Sequence, residues 1–249
     1  MQKIEQIAEW LAAGSGAVVF SGAGMSTESG IPDFRSPGGV WATNQPVYFD
    51  EYMASSEARY EYWRQKSIAH QDFADSQPNC GHKLLAAWEQ VGMVQGVITQ
   101  NIDGLHQLAG SSLVLELHGT ARQVACLECG ARGPADQAVA EFLATDEVPS
   151  CPECDGITKH ATISFGQQLD DEVLRQADQL VQRADLLLVM GSSLVVQPAA
   201  SLPAIAARSG ARVVIINRDA TDQDGIADAV IHGEIGETLE AINSCLENS

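Results

Sequence analysis

V-V-F-S-G-A-G-M-S-T-E-S-G-I-P-D-F-R-S-P-G-G-V-W, residues Val18 to Trp41, is an apolar run that breaks into a glycine-bearing turn. Ala17 to Phe20 is short, apolar and β-branched, the pattern of a buried parallel strand, and Ser21-Gly22-Ala23-Gly24 follows at once. Glycines at that point let backbone N–H groups approach a diphosphate. As a dinucleotide fingerprint the turn is incomplete. Its third small position falls on Thr27, and no acidic residue stands clearly at the end of a second strand. Taken alone, Gly22 and Gly24 describe a tight turn of any α/β protein.

Ser29-Gly30-Ile31-Pro32-Asp33-Phe34-Arg35 is poor helix and poor strand. A loop that carries Phe34 and Arg35 directly after a phosphate turn suits a lid, with the ring excluding water and the guanidinium holding phosphate or bracing the loop.

The same strand-then-polar-turn pattern recurs along the chain. Val94 to Thr99 runs into Gln100-Asn101-Ile102-Asp103, Leu113 to Leu117 into His118-Gly119, Asp185 to Met190 into Gly191-Ser192-Ser193, and Ala211 to Ile216 into Asn217-Arg218-Asp219. Polar turns at the carboxyl ends of strands are where open α/β sheets bind ligands. Asn101 offers a donor and an acceptor, Asp103 an acceptor, and the amide or carboxylate of Asn217 and Asp219 can read a ribose. His118 beside a glycine can titrate near neutrality and reach a hydroxyl, although a lone histidine is more often structural.

Between these strands lie helical stripes. Pro78-Asn79 caps a helix through Val91 with Leu84, Leu85, Trp88 and Val91 on one face, and Val173, Leu174, Ala177, Leu180 and Val181 form another stripe. His82 reads as structural. Pro46 to Ser76 reads as a small helical module most of whose aromatics are packing residues, since spacing alone does not separate these from a ligand-lining wall. The alternation implies a doubly wound, mostly parallel α/β sheet, Rossmann-like, with a small domain inserted.

Cys126-x-x-Cys129 and Cys151-x-x-Cys154 are separated by twenty-one residues, slightly longer than the usual paired-knuckle spacing. Four thiolates close a tetrahedral Zn²⁺ shell and leave no open position, which makes the metal structural. Thioredoxin-like redox chemistry is the competing reading of either pair alone. The acidic residues around the knuckles, Glu128, Glu153, Asp146, Glu147 and Asp155, disfavour a nucleic-acid ribbon.

Formal net charge is -19 over 249 residues. Nucleic acid and anionic membrane surfaces are both repelled by such a chain, whereas a basic peptide is compatible with it. No apolar stretch approaches a membrane span, and the amphipathic start ending at Gly14 is no signal peptide. A cytoplasmic protein with reduced cysteines is expected, and a monomer is favoured.

G-A-G-M-S-T-E-S-G-I-P-D-F-R and T-Q-N-I-D-G-L-H, followed by L-H-G, the paired cysteines and G-S-S, resemble the sirtuins, NAD-dependent protein deacylases, in the expected order from Val18 to Asp219. The resemblance implies an acyl-lysine protein or peptide substrate, release of nicotinamide and transfer of the acetyl group to ADP-ribose. Deacylation of other acyl groups and protein ADP-ribosylation are the alternatives. It implies His118 as base, Asn101 placing the ribose or a water, and Asp103 reading the nicotinamide carboxamide. The remaining cofactor contacts it implies are Gly22, Ala23, Gly24, Asp33, Phe34, Arg35, Gln100, Ile102, Gly191, Ser192, Ser193, Asn217, Arg218, Asp219 and Ile235. Peptide contacts fall on Thr162, Ser164, Phe165 and Gly166, and on Val195 and Val196 by strand addition.

The chain departs from the family at Lys159-His160 and at Gln167, where sirtuins commonly carry Arg-Pro and Glu. It has no Tyr-x-x-Arg pair in the helical module, which favours acetyl or other uncharged acyl groups. In domain terms, 1–41, 77–121 and 162–249 form the large NAD-binding domain. The helical module 42–76 and the zinc ribbon 122–161 form the small one.

Overall fold

The computed structural model describes residues 2–14, 16–33 and 45–248. In chain order the elements are α1 (Gln2–Ala13), β1 (Ala17–Ser21), α2 (Phe49–Ala54), α3 (Ser56–Phe73), α4 (Cys80–Gln90), β2 (Val94–Thr99), α5 (Leu105–Ala109), β3 (Val114–Glu116), β4 (Gly119–Cys126) and β5 (Arg132–Pro134). They continue as α6 (Ala135–Thr145), β6 (Thr158–Thr162), α7 (Asp171–Gln182), β7 (Leu186–Met190), α8 (Leu202–Arg208), β8 (Arg212–Ile216), β9 (Ala229–Ile231) and α9 (Ile235–Glu247).

Every residue of β1 and β7 is buried, which requires cover on both faces of the sheet. The strands pair in parallel in the order β3-β2-β1-β7-β8-β9. One face packs Val19, Leu188 and Val214 against Ile7 and Leu11 of α1, Leu85 of α4 and Leu239 of α9. The other packs Phe20, Leu187 and Ile215 against Ala177 and Val181 of α7 and Leu202 of α8. Each such fully buried large side chain stabilises the fold by roughly 1.5–3 kcal/mol of transfer free energy.

Helix starts follow local chemistry. The Asn79 side chain accepts from His82 N at the head of α4, and Asp170 accepts from Glu172 N and Val173 N at the head of α7. α4 ends one residue earlier than the apolar spacing suggests. Val91 is its C-cap and is 68% exposed, outside the face that buries Leu85 and Trp88.

The chain leaves β1 to build β2 and β3 on one side, then returns to β1's other edge with β7 and runs outward to β9. The crevice at the carboxyl ends of β1 and β7 is therefore the topological switch point, where open α/β sheets take ligands.

The small domain carries the antiparallel sheet β5-β4-β6, with α6 and the helices α2 and α3 packed on it. The helical module and the cysteine ribbon share one core. Trp63 stacks on Phe142 at 6.1 Å between centroids, and the Tyr52 hydroxyl donates to Thr158 O at 2.5 Å. α6, between the two cysteine pairs, is an element that the spacing of the knuckles does not announce.

Candidate functional site

The switch point opens on a cavity of about 490 Å³ between the large domain and the small one. Of the residues the sequence nominates, Ala23, Gly24, Asp33, Gln100, Asn101, Ile102, His118, Thr162, Ser164, Phe165, Gly166, Gly191, Ser192, Ser193, Val196, Asn217, Arg218, Asp219 and Ile235 line it. Gly22, Asp103 and Val195 do not, and Phe34 and Arg35 lie outside the described residues.

The two glycines of the first turn meet the one glycine of the second. A Cβ on Gly24 would stand 2.7 Å from Gly191 Cα, and one on Gly22 would stand 2.7 Å from Gly191 O. The Gly22 and Gly24 N–H groups are spent inside the protein, on Met190 O and Gly191 O, both at 2.9 Å. These two residues are small so that two strand-end loops can touch, and their own amides are not the ones turned to a diphosphate. Thr27, at the third fingerprint position, sits in a 3-10 turn (Ala23–Ser29) and donates its hydroxyl to Gly24 O at 2.9 Å.

The loop after β2 is fixed from behind. Asn101 Nδ2 donates to Gly22 O at 3.0 Å and to Ser26 Oγ at 3.1 Å. A carbonyl oxygen only accepts, so the amide NH₂ must face Gly22, and both of its hydrogens are used. The side chain thus offers the cavity its Oδ1 alone, an acceptor and not the donor-acceptor pair its chemistry allows. Asp103 is committed likewise, Oδ2 accepting from Ser26 Oγ at 2.7 Å and Oδ1 from Leu105 N at 2.9 Å. Its carboxylate stands behind the wall.

His118 ends the short link between β3 and β4. Its Nδ1 lies 3.0 Å from Gln100 O, and its own carbonyl accepts from Ile163 N at 2.8 Å. The next residue has to be glycine. Gly119 has φ +69°, and a Cβ there would stand 2.0 Å from Ala161 O. Burial lowers the pKa of His118 and the Gln100 carbonyl partly opposes that shift, so near neutral pH the ring is uncharged. With Nδ1 carrying the proton toward a carbonyl, Nε2 holds the lone pair. Ser192 Oγ donates to Gln100 Oε1 at 2.7 Å and ties the β7 turn to the same loop.

Tyr62, Gln65 and Lys66 of α3 and Val47 before α2 also line the cavity, so the module's aromatics are not all packing residues alone. Tyr62 does both, being 4% exposed in the small-domain core. Lys66 Nζ and Lys159 Nζ stand 5.7 and 5.4 Å from the Tyr62 ring centroid. Lys159 Nζ donates to the carbonyls of His160 and Thr162, and burial pushes its pKa down to about 7. Nothing in the spacing of Tyr62 and Lys66 separates a cavity wall from a helix face.

The four knuckle sulfurs lie within 4.8 Å of one another, Cys126 to Cys154 at 3.5 Å and Cys129 to Cys151 at 3.7 Å. A tetrahedron of Zn–S bonds of about 2.3 Å has edges of roughly 3.8 Å, whereas a disulfide would need about 2 Å. The donor set fits a structural zinc ion. Backbone N–H groups of Cys129 and Glu128 point at Cys126 Sγ from 3.5 and 3.4 Å and favour the thiolate a metal requires there.

The sequence model of the Sir2 family matches residues 22–198. An NAD-dependent protein deacetylase of Rhodopseudomonas palustris is 49% identical over 238 residues, 95% of this chain and 94% of that protein. An NAD-dependent protein deacylase 2 of Pyrobaculum aerophilum is 43% identical, over 94% of this chain and 92% of that one. Among solved structures, a Sir2 protein with a p53 peptide and NAD+ superposes with a TM-score of 0.90 at 35% identity, covering 99% of both chains. A Sir2 complex with a deacetylated p53 peptide and 3'-O-acetyl ADP-ribose superposes with a TM-score of 0.87 at 35% identity, covering 97% of both.

Proposed function

The chain belongs to the Sir2 family, and from that premise we infer that it is an NAD-dependent protein-lysine deacetylase whose cavity brings NAD and an acetyl-lysine side chain together. The observation that carries this reading is the pairing of His118, its proton held on Nδ1 by Gln100 O, with Asn101, its Oδ1 free to accept, in one cavity wall.

NAD, when bound, supplies a nicotinamide-ribose bond whose cleavage leaves ADP-ribose as the acceptor of the acetyl group. The chain's own residues do the rest. Asn101 Oδ1 accepts a hydrogen bond from a ribose hydroxyl or a water. His118 Nε2 takes the proton of a ribose hydroxyl, and the imidazolium so formed keeps its Nδ1–H on Gln100 O. Ile102, Ile163 and Leu169 in the walls keep water from the reacting carbon.

Ala23, Gly24, Ser192 and Ser193 at the two strand-end turns face the pyrophosphate and ribose, and Asn217, Asp219 and Ile235 the adenosine end. Phe165, 40% exposed, lines the cavity, and Val195, 52% exposed, precedes the lining residue Val196; an extended peptide pairs along residues 164–166 and 195–196. The described part of residues 42–76 acts with 122–161 as one small domain over the cleft, and a zinc ion on Cys126, Cys129, Cys151 and Cys154 would hold its ribbon without touching substrate. Among the described residues no helix is long and apolar enough to cross a membrane. We place the protein in the cytoplasm, where the thiolates stay reduced.

The test is nicotinamide release from NAD by purified protein, with and without an acetyl-lysine peptide. Release that requires the peptide and matches the lysine freed supports this reading. Release without peptide, or label from NAD retained on protein, would replace it with NAD hydrolysis or ADP-ribosyl transfer.

A further inference from the structure

His106, the last residue of T-Q-N-I-D-G-L-H, lines no part of the cavity, and the reaction described above gives it nothing to do. Its ring is 1% exposed, and burial, with His82 nearby, pushes its pKa down to about 3, so it is a neutral imidazole. A polar ring in that place costs desolvation that an aromatic hydrocarbon would not. What it makes with its polarity is specific. Its Nε2 lies 2.8 Å from Ser21 Oγ at the end of β1. Ser21 Oγ in turn donates to Thr99 Oγ1 at 2.8 Å at the end of β2, and Thr99 Oγ1 accepts the backbone N–H of Asn101 at 3.0 Å.

Ser21 Oγ is the donor to Thr99 Oγ1, and that sets the direction of the other links. Because Ser21 spends its only hydrogen on Thr99, it can meet His106 only as an acceptor, and Nε2 must carry the imidazole proton. Nδ1 is then a bare lone pair, and it is the ring nitrogen without a partner. Every link is buried, Ser21 at 0%, Thr99 at 2% and Asn101 at 6% exposure. The chain ends on the amide of the residue whose Oδ1 faces the cavity. The same short helix also meets the loop that carries Asn101 through Leu105 N, which donates to Asp103 Oδ1.

We propose that His106 is a positioning residue for the reaction: through Ser21 and Thr99 it holds the Asn101 backbone, and so the aim of Asn101 Oδ1, from beneath the cavity. The proposal rests on the reading of Asn101 as the residue that accepts from the ribose or its water. Displacing a polar group that is made for a transition state costs turnover more than peptide binding.

His106→Phe keeps a ring and removes the donor, and His106→Gln restores a donor. Ser21→Ala and Thr99→Val cut the middle links with little change of volume. Two readouts are taken on each: amide hydrogen exchange at Asn101, which needs no substrate, and kcat and KM for nicotinamide release. The expected result is faster Asn101 exchange and a kcat lower by roughly ten- to hundredfold in His106→Phe, with KM for the peptide little changed and His106→Gln recovering most of the loss.

Ser21→Ala should give a similar loss, and the two changes together no more than either alone. Unchanged exchange, unchanged kcat, or losses that simply add would overturn the proposal. If His106→Phe does not fold, Ser21→Ala and Thr99→Val decide by the same criteria. Wild-type protein that releases no nicotinamide would count against the deacetylase reading, while the exchange measurement still shows whether the chain from His106 holds Asn101.

Discussion

His118 Nδ1 and Gln100 O stand 3.0 Å apart, and that one contact sets which ring nitrogen is free. The carbonyl cannot donate, so the neutral ring keeps its proton there and leaves Nε2 able to accept one. Burial lowers the pKa from the ordinary 6.5, so the neutral ring we propose as base is lost only when pH falls through a value below that. The acid limb of kcat/KM is accordingly expected below pH 6.5, measured with saturating peptide and limiting NAD. An acid limb above pH 7 would show that the Gln100 contact, which favours the charged ring, outweighs burial.

Gly191 and Gly30 both have positive φ, +62° and +84°, but they differ in what surrounds them. A Cβ on Gly191 would stand 2.4 Å from Met25 N, whereas one on Gly30 meets nothing within 4 Å. Gly30→Ala should cost about 1–2 kcal/mol from backbone strain. Gly191→Ala adds overpacking of roughly 1–3 kcal/mol and also displaces the turn that lines the cavity. Urea unfolding and NAD affinity separate the two, and equal losses in both would refute the close contact of the two loops.

Stripping the metal with a chelator should unfold β4, β5, β6 and α6, because structural zinc contributes an apparent ~10–16 kcal/mol at pH 7. Activity should vanish with the near-ultraviolet signal of the small domain, and both should return with Zn²⁺. Metal-free protein that retains full activity would refute the structural assignment.

Acid should destabilise the fold well before most carboxylates titrate. Burial lowers His82 to about 4 and His106 and His160 to about 3, each from 6.5. The unfolded chain therefore binds protons that the native state refuses. The stability these neutral rings contribute is complete above pH 6.5 and is lost as pH falls toward their native values. Each can contribute a slope of up to about 1.4 kcal/mol per pH unit. Urea midpoints at pH 7 and pH 5 should differ accordingly, and identical midpoints would show that the rings are not held neutral.

Much of the fold is legible because local pattern and tertiary role coincide. A run such as Leu186–Met190, five apolar residues ending at a glycine, has the length and flank of a strand buried on both faces, and four cysteines in two close pairs have few uses. The rest depends on contacts between residues far apart in sequence. Gly24 is small because of Gly191, which no local rule reveals. Asn101 loses its donor role to Gly22 and Ser26, and Asp103 turns its carboxylate to Ser26, so composition alone overstates what both offer the cavity. Tyr62 is counted as core from its neighbours and is core, yet one edge of it is also cavity wall.

His118 is the group we propose removes a proton after nicotinamide has left. The direct measurement is the yield of O-acetyl-ADP-ribose and of free lysine from NAD and acetyl-lysine peptide, in wild type and in His118→Ala at matched folded concentration. Wild type should form the two in equal amounts. His118→Ala should form them slower by roughly 10²–10⁴-fold while its unfolding midpoint stays close to wild type. A folded His118→Ala enzyme with wild-type yield of both products would contradict the assignment.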